Sequence, residues 1–317
     1  MIIAGFPAGA VTIASARLRY HAIVRGLAEH GVTTVEGYSP DAQLVYVQKR
    51  LTPEVLAMAQ QAQARGQRVW YDVDDTGDVL NTIAPSALLG RMLALADLVT
   101  TGTPWQRAAL IASYGERVIH LFPNLADYDP VKPDTRPQRE ADPLLRILWF
   151  GYASNLRLLR HYLTVLATLP SAEILVLTNT GGRPFRNAPA AARFAPWALE
   201  TFVQELTASH LSCLMHDGTA DDRAKTNTRM VTSIAWGVPA VVSRTPEYER
   251  TARECGVEDA IFDGPEQLIE VVERLRSADA RTRYLARAQR VIWAQYAPQV
   301  VVDSVLTILR TALPGLG

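Results

Sequence analysis

Residues 217–243 read DGTADDRAKTNTRMVTSIAWGVPAVVS, and the rest of the chain is organised around them. A polar, glycine-containing loop at 217–222, beginning at Asp217, leads into a helix-compatible run at 224–236. Gly237-Val238-Pro239 stops that helix, and Ala240-Val241-Val242 reads as a short buried strand. Lys225 and Arg229 are four residues apart, so in a helix they share a face in its first turn and a half. Cations are disfavoured at a helix N-terminus, where unpaired N–H groups already carry positive potential. One reading is that an anion such as a phosphate docks between the two. The other is that Asp221 and Asp222 cap the helix and neutralise both cations at the surface. Spacing alone leaves both open.

Outward from this stretch, strands and helices alternate. Upstream lie a strand at 146–150 (RILWF), the loop Gly151-Tyr152-Ala153-Ser154-Asn155, a helix at 156–169 and a strand at 172–177. Residues 180–196, broken by glycine and proline, read as irregular, before a helix at 197–208 and a strand at 211–215. Downstream, helices at 246–254 and 266–276 flank a short strand at 260–262, and helical runs at 281–296 and 298–313 close the chain. The first half begins in the same way. A strand at 1–6 is followed by a loop holding Gly9 and by an amphipathic helix, SARLRYHAIVRGLAEHG, with Leu18, Ala22, Ile23 and Leu27 as its core stripe. The dinucleotide fingerprint G-x-G-x-x-G is absent. Further strands are expected at 44–47, 68–71, 94–101 and 117–121, with helices at 53–66 and from Pro104. Residues 128–143 are rich in proline and charge and poor in apolar side chains, a linker composition. The expected organisation is therefore α/β, with domains at 1–127 and 144–317 joined by a linker at 128–143.

Two clusters in the first half are site candidates. Arg17 and His21 share a face near the start of the first helix, with Arg19 between them and Gly9 in the loop before. They read either as cleft residues or as solvated surface. The strand RVWY runs into Asp72-Val73-Asp74-Asp75, and alternation puts Asp72 and Asp74 on one face at its carboxyl end. In an open α/β sheet that end borders the ligand crevice. A metal-binding D-x-D, a general base, or a solvated turn with helix-capping acids would each account for these carboxylates.

Composition narrows the classes. Thirty-two basic and 32 acidic residues give zero net charge, so no global field favours nucleic acid or anionic membranes. Cys213 and Cys255 are the only cysteines and suggest neither a disulfide framework nor a metal cluster, as in a cytoplasmic protein. The apolar N-terminus ends in Ala14-Ser15-Ala16 but lacks the basic start of a signal peptide. No uninterrupted apolar run of about 18 residues suggests a transmembrane span.

The loop WFGYASN after a first strand, then KTNTR ahead of SIAWGVPAVVS, resembles the donor-binding half of GT-B glycosyltransferases, most closely the family-4 type (glycosyltransferase group 1). Ala235, Gly237, Pro239, Val241 and Val242 match that family's A-x-G-x-P-V-V turn. SARLRYHAIVRGLAEHG, VWYDVDD, ADLVTTGTPWQ and HLFPN resemble its first half. The resemblance implies two Rossmann-like domains facing a cleft, with C-terminal helices packing back toward the N-terminal domain. It further implies a transferase that moves a sugar from a nucleotide-sugar donor to an acceptor hydroxyl, retaining and independent of metal, with no cofactor beyond the nucleoside diphosphate sugar itself. Gly151, Tyr152, Ser154 and Asn155 would line the donor diphosphate or sugar, together with Asp217, Thr226 and Asn227. Lys225 and Arg229 would neutralise the leaving diphosphate. Asp72 or Asp74 would accept the acceptor's proton, with Gly9, Arg17, Arg19, His21 and Asp75 on the acceptor side. Thr232 stands where the family usually has a glutamate that contacts the donor ribose. The acceptor is open among a glycan, a metabolite, a protein and a modified nucleic-acid base. An epimerase or hydrolase acting on sugar nucleotides, and a non-catalytic nucleotide-sugar-binding subunit, are the competing readings.

Overall fold

Buried runs such as Leu44–Gln48 and Ala240–Ser243 carry no polar–apolar alternation, the signature of parallel strands covered on both faces. In the computed structural model, which describes residues 1–74, 86–127, 144–179, 184–216 and 220–315, such strands build two separate sheets. The chain sorts into two units, one comprising Met1–Leu125, Ala224–Thr226 and Tyr296–Gly317, the other Ala126–Arg223 and Asn227–Gln295.

The first unit holds a parallel sheet of β1 (Ile2–Phe6), β2 (Thr33–Glu36), β3 (Leu44–Gln48), β4 (Arg68–Val73), β5 (Leu98–Thr101) and β6 (His120–Leu121). Its order is β2-β1-β3-β4-β5-β6, so the connections reverse direction between β1 and β3. Register sets Gln48 beside Asp72, and Asp72 beside Thr100. Helices Pro53–Ala64 and Pro104–Tyr114 start on a threonine cap followed by proline, whose missing N–H costs nothing there. The sequence suggested one strand over 94–101. Instead Ser86 caps a helix, Ala87–Leu95, and only Leu98–Thr101 is extended. An apolar run of that length does not distinguish buried helix from buried strand. The edge strand β2, largely exposed, has no apolar signature to betray it.

The first helix is not uniform. It starts as Ala14–Ala16, widens into a π turn at Arg17–His21, and continues as Ala22–Glu29. The helix Pro298–Ala312 packs on this unit, and Val301, Val302, Val305, Leu306 and Leu309 share a core with Leu18, Ile23, Leu27 and Val32. A Cβ at Gly26 would lie 2.4 Å from Val302 Cγ2, so glycine sets the approach of the two helices. The last segment therefore groups with the N-terminal unit rather than with 144–295, because its valine face completes that core. Residues Ala278–Ala312 reach the length and mean hydropathy (1.2) of a membrane-crossing run. Pro298 splits them, and the second helix spends its apolar face on this core.

The second unit holds β7 (Leu145–Gly151), β8 (Ala172–Thr178), β9 (Ala192–Pro196), β10 (Leu211–Leu214), β11 (Ala240–Ser243) and β12 (Ile261–Phe262), all parallel in the order β12-β11-β10-β7-β8-β9. Strand β9 lies within the stretch expected to be irregular. It is a half-exposed edge, so the glycines and prolines before it dominated the sequence signal. The order reverses between β7 and β10, and the carboxyl ends of those strands define this sheet's switch point, where ligands of open α/β sheets bind.

Candidate functional site

At the switch point of the second unit, β7 ends in Phe150 and Gly151, and β10 is followed by Met215 and His216. The helix Thr228–Ala235 supplies Arg229. Arg229 Nη1 donates to the Phe150 carbonyl at 3.1 Å, and Nη2 lies 2.7 Å from His216 Nε2. His216 Nδ1 is 2.9 Å from Asp222 Oδ1, and the His216 backbone N–H donates to Ser243 Oγ at 2.7 Å. The Tyr248 ring packs against the imidazole, centroid to centroid 5.4 Å. Burial raises the Tyr248 pKa, against the opposing pull of Arg229. Gly151 is a close-approach position: a Cβ there would sit 3.1 Å from Trp149 and 3.3 Å from Arg229 Nη1. A side chain there would push Trp149 and the guanidinium back by a few tenths of an ångström, so glycine favours their close approach to the end of β7.

The loop after Gly151 leaves Tyr152 exposed and places Asn155 at the start of the helix Leu156–Leu166. Asn179, just past β8, accepts the Ala153 N–H at 2.9 Å and so fixes that loop. Gly151, Tyr152, Asn155 and Arg229 are thus drawn to one end of one sheet. Asp75, Asp217, the linker at 128–143 and the side chain of Ser154 lie outside the described residues.

Other expected donor residues have different surroundings. The helix expected over 224–236 begins only at Thr228, with Asn227 as its N-cap, so Lys225 and Arg229 do not share a helical face. The reason is local. Gln106 Nε2 donates to the Ala224 carbonyl at 2.9 Å and Asn124 Nδ2 to Thr226 Oγ1 at 3.3 Å, which holds Ala224–Thr226 on the first unit and out of the helix. Asn227 is buried, its amide spent on Thr251 Oγ1 at 2.7 Å. Thr232 is also buried, and its hydroxyl accepts the Asp127 N–H at 3.3 Å. Neither of these two side chains is presented to a ligand.

In the first unit the acidic cluster divides. Asp72 is 0% exposed and pairs bidentately with Arg19, also 0% exposed, at 2.6 and 2.7 Å. Thr100 Oγ1 donates to the same carboxylate at 2.6 Å, and Trp70 Nε1 donates to Thr100 at 2.8 Å. Arg19 further donates to the Phe122 carbonyl and to Asn124 Oδ1, and lies 3.9 Å from the Phe122 ring centre. Burial alone would lower the Arg19 pKa, but Asp72, with help from Asp74, raises it above its ordinary value. Asp72 and Arg19 are therefore a buried structural pair, not a proton acceptor and an acceptor-side cation. Asp74 is buried at the end of β4.

Gly9, Arg17 and His21 do come together. Arg17 Nη1 donates to the Val11 carbonyl at 2.9 Å, and His21 Nε2 lies 3.1 Å from the Gly9 carbonyl. The π turn points both side chains at the loop after β1, while Arg19, between them, turns into the core.

His216 escaped the sequence reading, and Asp222 was read only as a helix cap. Their signal was slight: a histidine immediately after a buried strand, and an acid six residues on. Gln106 and Asn124 carried none, since an amide's partner 118 or 102 residues away is invisible in local pattern.

No family model matches the chain, and no curated protein does. Solved structures do. A glycosyltransferase from Rickettsia africae aligns with a TM-score of 0.67 at 10% identity over 99% of this chain and 98% of that one. WaaG, a glycosyltransferase involved in lipopolysaccharide biosynthesis, aligns with a TM-score of 0.62 at 14% identity over 99% and 100%. The chain has the GT-B fold. A UDP-forming trehalose-phosphate synthase from Burkholderia xenovorans also aligns, with a TM-score of 0.62 at 12% identity over 94% of this chain and 78% of its own. The chain spans 57% of the length of the GtfA/B chain it matches. At these identities the likeness establishes the GT-B architecture alone, and function has to be argued from the site.

Proposed function

We propose that this protein is a cytoplasmic glycosyltransferase that takes a sugar from a nucleoside diphosphate donor and passes it to an acceptor hydroxyl. One observation carries the reading: Arg229 is held against Gly151 and the Phe150 carbonyl at the switch point of the second sheet. A guanidinium offers planar paired donors suited to phosphate oxygens. A fixed cation of this kind stabilises a leaving diphosphate without a metal, so transfer is proposed to be metal-independent. Gly151, Tyr152 and Asn155 border the same position, where the chain turns from β7 into the helix that begins at Leu156. The sequence resemblance adds Lys225 and Thr226 to the donor ligands and favours retention of configuration. With Asp72 consumed by Arg19, Asp74 is the carboxylate proposed to accept the proton of the acceptor hydroxyl.

The test is calorimetric titration with UDP, GDP and ADP, with and without Mg²⁺, on the native protein and on Arg229→Gln. Micromolar binding of one nucleotide without Mg²⁺, weakened tenfold or more in the variant, is the expected result; loss of one charge-assisted hydrogen bond is worth about 1.5–3 kcal/mol. If none of the three binds, the transferase reading fails.

A further inference from the structure

Arg229 does not hold its own position. A guanidinium has only donors, so the 2.7 Å contact between Arg229 Nη2 and His216 Nε2 requires a lone pair on Nε2. The imidazole proton then sits on Nδ1, where the Asp222 carboxylate accepts it at 2.9 Å. His216 is 7% exposed and Asp222 4%, so water does not compete freely for either bond. The backbone at His216 is tied to Ser243 at the end of β11, and the ring packs at a tilt against Tyr248. We infer that Asp222 and His216 are positioning residues, a relay that fixes the imidazole tautomer and so aims the Arg229 guanidinium at the donor's diphosphate. The inference rests on the proposed donor site and names the groups that orient it.

The relay has a consequence that simple packing does not. Protonation of His216 replaces the Nε2 lone pair with a second N–H, and the contact with Arg229 becomes one between two cations. The titratable groups in contact with the imidazole include Asp222, which favours that protonation, Arg229, which opposes it, and Tyr248, whose pKa burial keeps raised. Nucleoside diphosphate affinity should therefore fall as pH drops through the His216 titration.

The experiment measures the dissociation constant of the nucleotide that binds best, among UDP, GDP and ADP, from pH 5 to 8. It uses the native protein, His216→Gln, His216→Leu and Asp222→Asn. Glutamine presents an oxygen near the Nε2 position and does not titrate. His216→Gln should retain pH 8 affinity within about threefold and keep only the pH dependence that the ligand's own terminal phosphate, with a second pKa of about 6, imposes. His216→Leu should bind tenfold or more weakly at every pH, since it removes a hydrogen bond to a charged donor. Asp222→Asn should fall between them. A native affinity whose pH dependence matches that of His216→Gln, or a His216→Leu protein that binds like the native one, would overturn the inference. Histidine ¹⁵N shifts of the unliganded protein give a second readout that needs no nucleotide: His216 should show the Nδ1–H tautomer at pH 8. The opposite tautomer overturns the relay even where nucleotides bind. Absence of binding by all three nucleotides together with the Nδ1–H tautomer overturns the donor reading while leaving the relay intact.

Discussion

The Arg19–Asp72 pair gives the sharpest prediction about the first unit. Both side chains are fully buried, and the carboxylate takes two bonds from the guanidinium and one from Thr100. Removing either partner leaves a buried charge without its main counter-ion, which typically costs about 3–5 kcal/mol. Arg19→Met and Asp72→Leu should each destabilise the unit by that amount. The double variant removes both charges, and Thr100 keeps the Trp70 N–H as a partner. Its cost should therefore fall below the sum of the singles by about 2–3 kcal/mol, the coupling expected of residues in one network. The assay is native-state hydrogen exchange on peptides from β3, β4 and β5, with peptides from β10 and β11 as controls. At 1.4 kcal/mol per decade, each single variant should speed exchange in the first set by roughly two to nearly four decades. The control set should be unchanged. Exchange within threefold of the native protein in either single variant, or strictly additive effects in the double, would refute the reasoning and return Asp72 to the list of proton acceptors.

Two further predictions concern packing and reactivity. Gly26→Ala drives a methyl to within 2.4 Å of Val302, so overpacking of about 1–3 kcal/mol should outweigh the 0.5–1 kcal/mol that alanine adds to a helix; combining it with Val302→Ala should recover stability in urea melts. Burial pushes the Cys255 thiol up to about 12, and it raises Cys213 well above its ordinary value, so neither forms thiolate near neutral pH. Iodoacetamide at pH 8 should leave both unlabelled in the native protein and label both in guanidinium, as read by intact mass.

The sequence by itself determined the alternation of strands and helices, the restart of the pattern after the linker and the position of most core strands. Periodicity and turn chemistry are local, and Gly237 after the helix or Thr103-Pro104 before one can be read from a few neighbours. It also marked Gly151 and Arg229, because a glycine after a first strand and a cation near a helix start are local features too. What it left open was the choice between equally good local readings. The run 94–101 reads as one strand in the sequence, whereas a helix continues to Leu95 and strand pairing begins only at Leu98. Asp72 and Asp74 look alike in sequence, and only Arg19, 53 residues away and turned inward by a π turn, separates the structural carboxylate from its neighbour. Lys225 and Arg229 share a face on a helical wheel, yet Gln106 and Asn124 hold the first out of the helix. Asp222 reads as a cap until His216 lies beside it. Hydrogen bonds between buried side chains are settled by what the fold brings within 3 Å, and side chains far apart in sequence leave no trace of that distance in local pattern.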